Sequence, residues 1–257
     1  MPSLLSTKMQ WLLVDHLLHQ ALANPLHMTN VHFHHQVPYD EVASTGNSSI
    51  RRGSGSQDER SFFDIGPHSQ CAFVPKNPAV HKPFSISQFL QKKLRWITVG
   101  AQYDWTEKVY PERNDPPFPP RIASFVRELF PQTKAEAAIV NLYSPGDTLN
   151  VHRDVSEHSP NGLVSLSIGC EGLFVIGLGT ALGESCKPLC LRLRSGDAVY
   201  MDGRARHAWH GVPKVFSGTC PKALRDWPAV SSASGEKYAE WRGWMVSKRI
   251  NFNVRQL

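Results

Sequence analysis

No stretch of this 257-residue chain approaches the roughly 20 consecutive apolar residues that span a bilayer, so no transmembrane helix is expected. The first twenty residues carry Leu4, Leu5, Leu12, Leu13, Leu17 and Leu18, but no basic segment precedes an apolar core, and Asp15 interrupts them. A helix, not a signal peptide, is predicted there. Lys8 is the only Lys or Arg among them, which argues against an arginine-rich mitochondrial presequence. Cysteine is sparse: Cys71, Cys170, Cys186, Cys190 and Cys220 are odd in number, dispersed and free of any C-x-x-C. That excludes a disulfide framework and suits reduced thiols in an intracellular protein, with nucleus, cytoplasm and mitochondrion all open. Cys186 and Cys190 are neighbours without a second pair, so a zinc site is not expected. There is no internal repeat, no heptad array and no long Lys/Arg tract.

What is present fits one domain with an N-terminal extension. Hydrophobic residues make up 41%, enough for a sizeable core, and the net charge of +6 suits a polyanionic partner such as nucleic acid. Residues 1–83 read as a helix and an extension. The helix is capped by Ser6 or Thr7 and runs to about Asn24; a Gly/Ser-rich flexible loop at 44–61 includes Arg51 and Arg52. His32, His34 and His35 invite a metal reading, but no carboxylate or cysteine stands at a ligand spacing. Residues 84–257 form the main domain. A helix is predicted over 84–94, capped by Ser85 or Ser87, and a second over 121–130, opened by Pro120 and carrying Ile122, Phe125, Val126 and Leu129 on one face. Strands are predicted at 94–99, 136–143, 149–154, 163–169, 172–178, 188–194, 197–202, 206–213 and 245–255, with a loop-like insertion at 213–239. Many short strands broken by turns such as Ser144-Pro145-Gly146-Asp147 suggest a double-sheet jelly roll.

The last of these strands organises the rest. Ile250, Phe252 and Val254 alternate with Arg249, Asn251, Asn253 and Arg255, so one face is apolar and the other polar. The apolar face packs on a core, which turns the polar face toward a cavity or water. Two arginines in a cavity require anions, and the guanidinium fork matches a carboxylate. A small dicarboxylate would satisfy both; a solvated edge strand is the plainer alternative.

His152-Arg153-Asp154 tips the balance. On a strand, residues i and i+2 share a face, so His152 and Asp154 point together. With one distant histidine they make the two-histidine, one-carboxylate facial triad, which leaves positions open on Fe(II). His210 is the preferred third ligand. His207 is its rival but lies an odd number of residues away.

In order, Leu94–Gly100 with Tyr103-Asp104-Trp105, Asn141-Leu142-Tyr143-Ser144-Pro145-Gly146, the H-x-D, Arg206 to Pro213 and the final R-x-N-x-x-x-R resemble the AlkB family of Fe(II)/2-oxoglutarate dioxygenases, and most of all its eukaryotic AlkB-homologue-1 branch. The resemblance covers roughly residues 90–257 well and the N-terminal part more loosely. It implies a mixed α+β fold, a double-stranded β-helix (jelly-roll) core with N-terminal helices and a nucleotide-recognition lid over about 100–120. It implies iron at His152, Asp154 and His210, and 2-oxoglutarate at Asn141, Tyr143, Arg249, Asn251 and Arg255, with Arg249 at the far carboxylate and Arg255 near the iron-chelating end. It also implies O2 as the oxidant and removal of a methyl group from a nucleobase as the reaction.

Tyr103, Trp105 and Tyr110 sit among charges and prolines, a composition that stacks on bases as readily as it pins a surface loop. Ser156 and Glu157 stand where family members contact the base; Glu157 would accept from an adenine amino group, or else be a solvated loop residue. Arg206 suits a supporting role, and Arg153 is expected to face away from the metal. The resemblance implies N1- or N6-methyladenine in RNA, tRNA or DNA as substrate. A histone or other protein demethylase, and a binding module with a vestigial site, are the rivals.

Overall fold

The computed structural model describes residues 1–45, 60–179, 188–232 and 235–257. Arg51, Arg52, most of the 44–61 loop and Cys186 lie outside them.

The N-terminal helix α1 (Thr7–Asp15) is capped by Ser6, whose hydroxyl accepts from the Met9 amide, and helical backbone continues in a wider turn over His16–Ala21. Leu13, Leu17, Leu18 and Leu22 are buried by it, as their spacing requires. Helix α2 (Tyr39–Thr45) follows, then a two-stranded ribbon of β1 (Ala72–Phe73) and β2 (Phe84–Ser85). The helix predicted over 84–94 is a short α3 (Ile86–Gln88) and a wider turn over Phe89–Lys93, with Ser85 as its cap. Helix α4 (Pro120–Leu129) starts on the proline and buries Ile122 and Val126.

The strands form two main antiparallel sheets. One has the order β3 (Trp96–Gly100), β4 (Ala137–Tyr143), β13 (Arg249–Arg255), β6 (Leu163–Gly169), β9 (Ala198–Met201). The other has the order β5 (Leu149–His152), β10 (Trp209–Val215), β7 (Gly172–Gly177), β8 (Leu189–Leu193). Within the insertion, β11 (Val230–Ser232) and β12 (Gly235–Lys237) pair with each other. No described helix is long and apolar enough to cross a membrane.

Strand β13 lies in the middle of the larger sheet, paired along its length with β4 and β6. Ile250, Phe252 and Val254 are fully buried in one core that also takes in Leu17, Phe62 and Phe89 from the N-terminal third. Each such side chain contributes about 1.5–3 kcal/mol. The opposite face of β13 is polar and looks toward the smaller sheet.

Several predicted strands are shorter than their pattern suggests, the last starting at Arg249 and not at 245, and two of them shape the site. Strand β5 stops at His152, so Asp154 is off the strand and alternation does not orient it. Continuing the β5–β10 register would pair residue 154 with residue 208, but the Ala208 amide is already bonded to the Ala205 carbonyl in a turn. For the same reason β10 begins at Trp209, not at 206. The insertion leads into β13 through two short turns, Ala239–Trp241 and Trp244–Ser247.

Candidate active site

Between the two sheets lies a cavity of about 320 Å³. The larger sheet supplies Asn141, Asn251, Asn253 and Arg255 to its wall, and the smaller sheet supplies His152 and His210.

His152 and His210 are direct cross-strand partners, with ring centroids 4.4 Å apart. Each imidazole is held by its own strand end. His152 Nδ1 donates to the Asn150 carbonyl at 2.9 Å, and His210 Nδ1 donates to the Ala208 carbonyl at 3.0 Å. A carbonyl only accepts, so both Nδ1 atoms carry the proton and both Nε2 atoms are free to ligate. Burial lowers the pKa of His210 against the pull of Asp154, which favours the neutral, ligating form. Asp154 Oδ1 stands 3.6 Å from His152 Nε2. Burial would raise the Asp154 carboxyl, but Arg255 and the two imidazoles outweigh it and hold the pKa below the usual value.

His152, Asp154 and His210 present one ligand atom each within 4.8 Å of one another, and among the described residues they are the one such set of histidine, cysteine or carboxylate groups. The histidines at 32, 34 and 35 do not form one. His207 is not in the set either; its Nδ1 donates to the Asp154 carbonyl at 3.1 Å.

The second polar group of the site is Arg249, opposite Tyr143 in the β13–β4 register. Both are buried just beyond the cavity lining. Arg249 Nη1 and Nη2 donate to the Cys170 carbonyl and Ser167 Oγ at 3.4 and 3.1 Å, but Arg249 Nε and Tyr143 Oη have no partner among the described residues. Burial lowers the arginine pKa to about 10 and raises that of the phenol to about 12. An uncompensated guanidinium beside an uncompensated hydroxyl fits an incoming carboxylate. Gly172 makes room: a Cβ there would fall 2.6 Å from Arg249 Nε.

Arg255 is different. Its Nη2 donates to Asp154 Oδ2 and its Nε to Glu157 Oε1, each at 2.8 Å. Its anions are already supplied by the chain, unlike those of Arg249. Glu157 borders the cavity but is not a solvated residue: its second oxygen takes Arg206 Nη2 at 2.9 Å, and both partners are buried. Arg153 borders the cavity, contrary to strand alternation, because β5 has ended; its Nε donates to the His207 carbonyl and its guanidinium stands 5.7 Å from the Trp209 ring.

Tyr103, Trp105 and Tyr110 come together at the cavity. Tyr103 lies 4.9 Å from Trp105 and 5.1 Å from Tyr110, and Trp105 stacks on Trp96 of β3 at 4.5 Å. Tyr103 Oη is 3.2 Å from Ser156 Oγ, tying this segment to the loop after Asp154. Tyr110 Oη is buried without a partner. Asn253 lines the cavity as the alternation of β13 implies, whereas Phe174 and Met201 carry no polar signal that marks them in the sequence.

A two-histidine, one-carboxylate centre beside a buried arginine without a counter-ion is the arrangement of an iron-dependent oxygenase. The family model described as "2OG-Fe(II) oxygenase superfamily" matches residues 60–255, and the chain belongs to that superfamily. It is an Fe(II)- and 2-oxoglutarate-dependent dioxygenase, and its relatives lie in the AlkB-homologue-1 branch. It is 49% identical to "N6-methyladenosine RNA demethylase ALKB1" of Pyricularia oryzae over 267 residues, covering 100% of this chain and 73% of that protein. It is 50% identical to "N6-methyladenosine RNA demethylase ALKBH" of Cryphonectria parasitica, over 88% of this chain and 99% of that protein. Identity to "tRNA demethylase abh1" of Schizosaccharomyces pombe is 38%, over 98% of this chain and 76% of that protein.

Proposed function

We propose that this dioxygenase removes the methyl group from methylated adenine, N6-methyladenine foremost, in RNA. The observation that carries the reading is the cavity itself: the metal-ligating triad forms one wall and the Tyr103–Trp105–Tyr110 cluster another. Two relatives that are about half identical bear the name N6-methyladenosine RNA demethylase, and a third is named a tRNA demethylase. In this reading the facing sheets are a double-stranded β-helix, and the segment over about 100–120 is a nucleotide-recognition lid.

The residues divide the work as follows. His152, Asp154 and His210 hold Fe(II) through two neutral imidazoles and one carboxylate. Arg249 and Tyr143 pair with the far carboxylate of 2-oxoglutarate, filling the two unsatisfied groups, while Asn141 and Asn251 line the path between that anchor and the metal. Fe(II), 2-oxoglutarate and O2 together supply oxidative decarboxylation to succinate and hydroxylation of the methyl carbon, which then leaves as formaldehyde. Tyr103 and Trp105 offer π faces to the base, and Tyr110 offers a hydroxyl that lacks a partner until substrate arrives. A base in a duplex does not reach a cavity between two sheets, so the target is unpaired or flipped out.

The test is mass-spectrometric nucleoside analysis after anaerobic Fe(II) loading, then 2-oxoglutarate and air. N6-methyladenine RNA, N1-methyladenine tRNA and methylated single- and double-stranded DNA are offered in parallel with a methylated histone peptide. Loss of N6-methyladenosine that depends on 2-oxoglutarate is expected. Loss only from the peptide, or succinate formation with every nucleoside intact, refutes a nucleic-acid substrate.

A further inference from the structure

Four charged groups, three of them buried, close a ring that includes the metal carboxylate. Asp154 Oδ2 accepts from Arg255 Nη2 at 2.8 Å; Arg255 Nε donates to Glu157 Oε1 at 2.8 Å; Glu157 Oε2 accepts from Arg206 Nη2 at 2.9 Å. The ring returns to its start through Arg206 Nη1, which donates to the main-chain carbonyl of Asp154 at 3.1 Å. Arg206 Nε also fixes the Asn161 carbonyl at 3.0 Å, so the loop from Asp154 to Asn161 is gripped at both ends. Arg206, Glu157 and Arg255 are all buried.

We propose that Glu157 and Arg206 are positioning residues for Asp154, holding it so that it meets the metal through Oδ1 alone. The inference rests on the iron reading and deepens it. Asp154 lies past the end of β5, so no sheet hydrogen bond orients it; the ring supplies the missing restraint on side chain and backbone together. Oδ2 is spent on Arg255, which leaves Oδ1, the oxygen facing His152, as the ligand. The ring also sets the charge. Two guanidiniums face two carboxylates, so the ring itself is neutral before a dication arrives. Without the Glu157 charge, two guanidiniums share one carboxylate, and the net positive charge opposes metal binding. Groups that orient a metal ligand typically govern affinity 10–100-fold.

The experiment is an anaerobic Mn(II) titration, with free Mn(II) followed by its paramagnetic resonance signal, on wild type, Asp154→Ala, Glu157→Gln, Arg206→Lys and Leu17→Ala. Leu17 is fully buried in the N-terminal helical segment and serves as a variant destabilised at a distance. Wild type binds one Mn(II), Asp154→Ala loses it, and Glu157→Gln binds about 10–100-fold more weakly. Leu17→Ala keeps wild-type affinity despite its lower thermal midpoint. Should Glu157→Gln fail to fold, Arg206→Lys carries the test, because it keeps the charge and cannot span Glu157 and the Asp154 carbonyl at once. Wild-type affinity in Glu157→Gln or Arg206→Lys, or an equal loss in Leu17→Ala, overturns the positioning role and leaves the iron site standing. A wild-type protein that binds no Mn(II) overturns the iron reading as well.

Discussion

Arg249 and Arg255 stand six residues apart on the same face of β13, yet removing them should have very different consequences for the stability of the metal-free protein. Arg249 is buried without an ion pair to any described residue, and its pKa falls to about 10 from 12.5. The sign is that of a depressed base: the charged form is penalised in the folded state at every pH below 10. At neutral pH that penalty is about 3 kcal/mol. Arg249→Met relieves it, gives up two hydrogen bonds of about 1 kcal/mol each, and opens a void costing about 1 kcal/mol more. The terms balance, so stability should stay within about 1 kcal/mol of wild type. Arg255→Met instead takes the cation from Asp154 and leaves Glu157 with Arg206 alone, breaking two ion pairs, and should cost about 3–5 kcal/mol. For a chain of this size that is a fall in thermal midpoint of roughly 6–20 °C, against no more than about 4 °C for Arg249→Met. The 2-oxoglutarate affinity should respond the other way. Arg249→Met loses a buried charge pair with the ligand, about 2–5 kcal/mol, or roughly 30-fold to several thousandfold in Kd. Differential scanning calorimetry of the metal-free variants and titration calorimetry of 2-oxoglutarate into the Mn(II)-loaded proteins read both quantities. An Arg249→Met protein as damaged as Arg255→Met would mean that the chain supplies Arg249 with an anion. An unchanged Kd would remove Arg249 from the co-substrate site.

Two further outcomes are expected. Burial lowers the Lys248 pKa to about 8, so between pH 8 and 10.5 the unfolded chain holds a proton that the folded chain has released, and stability rises with pH across that window. From pH 7.5 to 9.5, urea denaturation should show wild type gaining about 2 kcal/mol relative to Lys248→Met; parallel curves would refute the buried charge. Tyr110→Phe removes a buried hydroxyl that has no partner, so it should leave stability unchanged or slightly raised while increasing the KM for methylated oligonucleotide. A drop in stability with KM unchanged would make the hydroxyl structural.

The strand pattern of β13, the capping by Ser6 and the helix opened by Pro120 were legible because each depends on residues close in sequence. So was the pairing of residue types at the metal centre, since H-x-D with a distant histidine needs only the right residues. The reason His152 and Asp154 converge was not legible. Alternation predicts it for a strand, but β5 ends between them, and a ring of long-range ion pairs sets the carboxylate instead. Glu157 shows the limit most clearly. A lone glutamate after an H-x-D looks solvated or substrate-facing, and nothing nearby announces guanidiniums 49 and 98 residues away. The segment over 100–120 was legible as a run of aromatics, but not as a cluster pinned by Trp96 stacking and a Tyr103–Ser156 contact.

The position of β13 has a consequence for how the protein is made. It follows every other strand in chain order, yet it occupies the middle of the larger sheet, between β4 and β6. During synthesis those two strands emerge with a gap between them, and each exposes an unpaired edge until residues 249–255 arrive. A nascent chain therefore lacks both Arg249 and the Arg255 that holds Asp154, even after both histidines have left the ribosome. Assembly of the centre waits for residues 249–255, and a chain cut short before residue 249 is left with a sheet open at its centre, prone to pair with another copy.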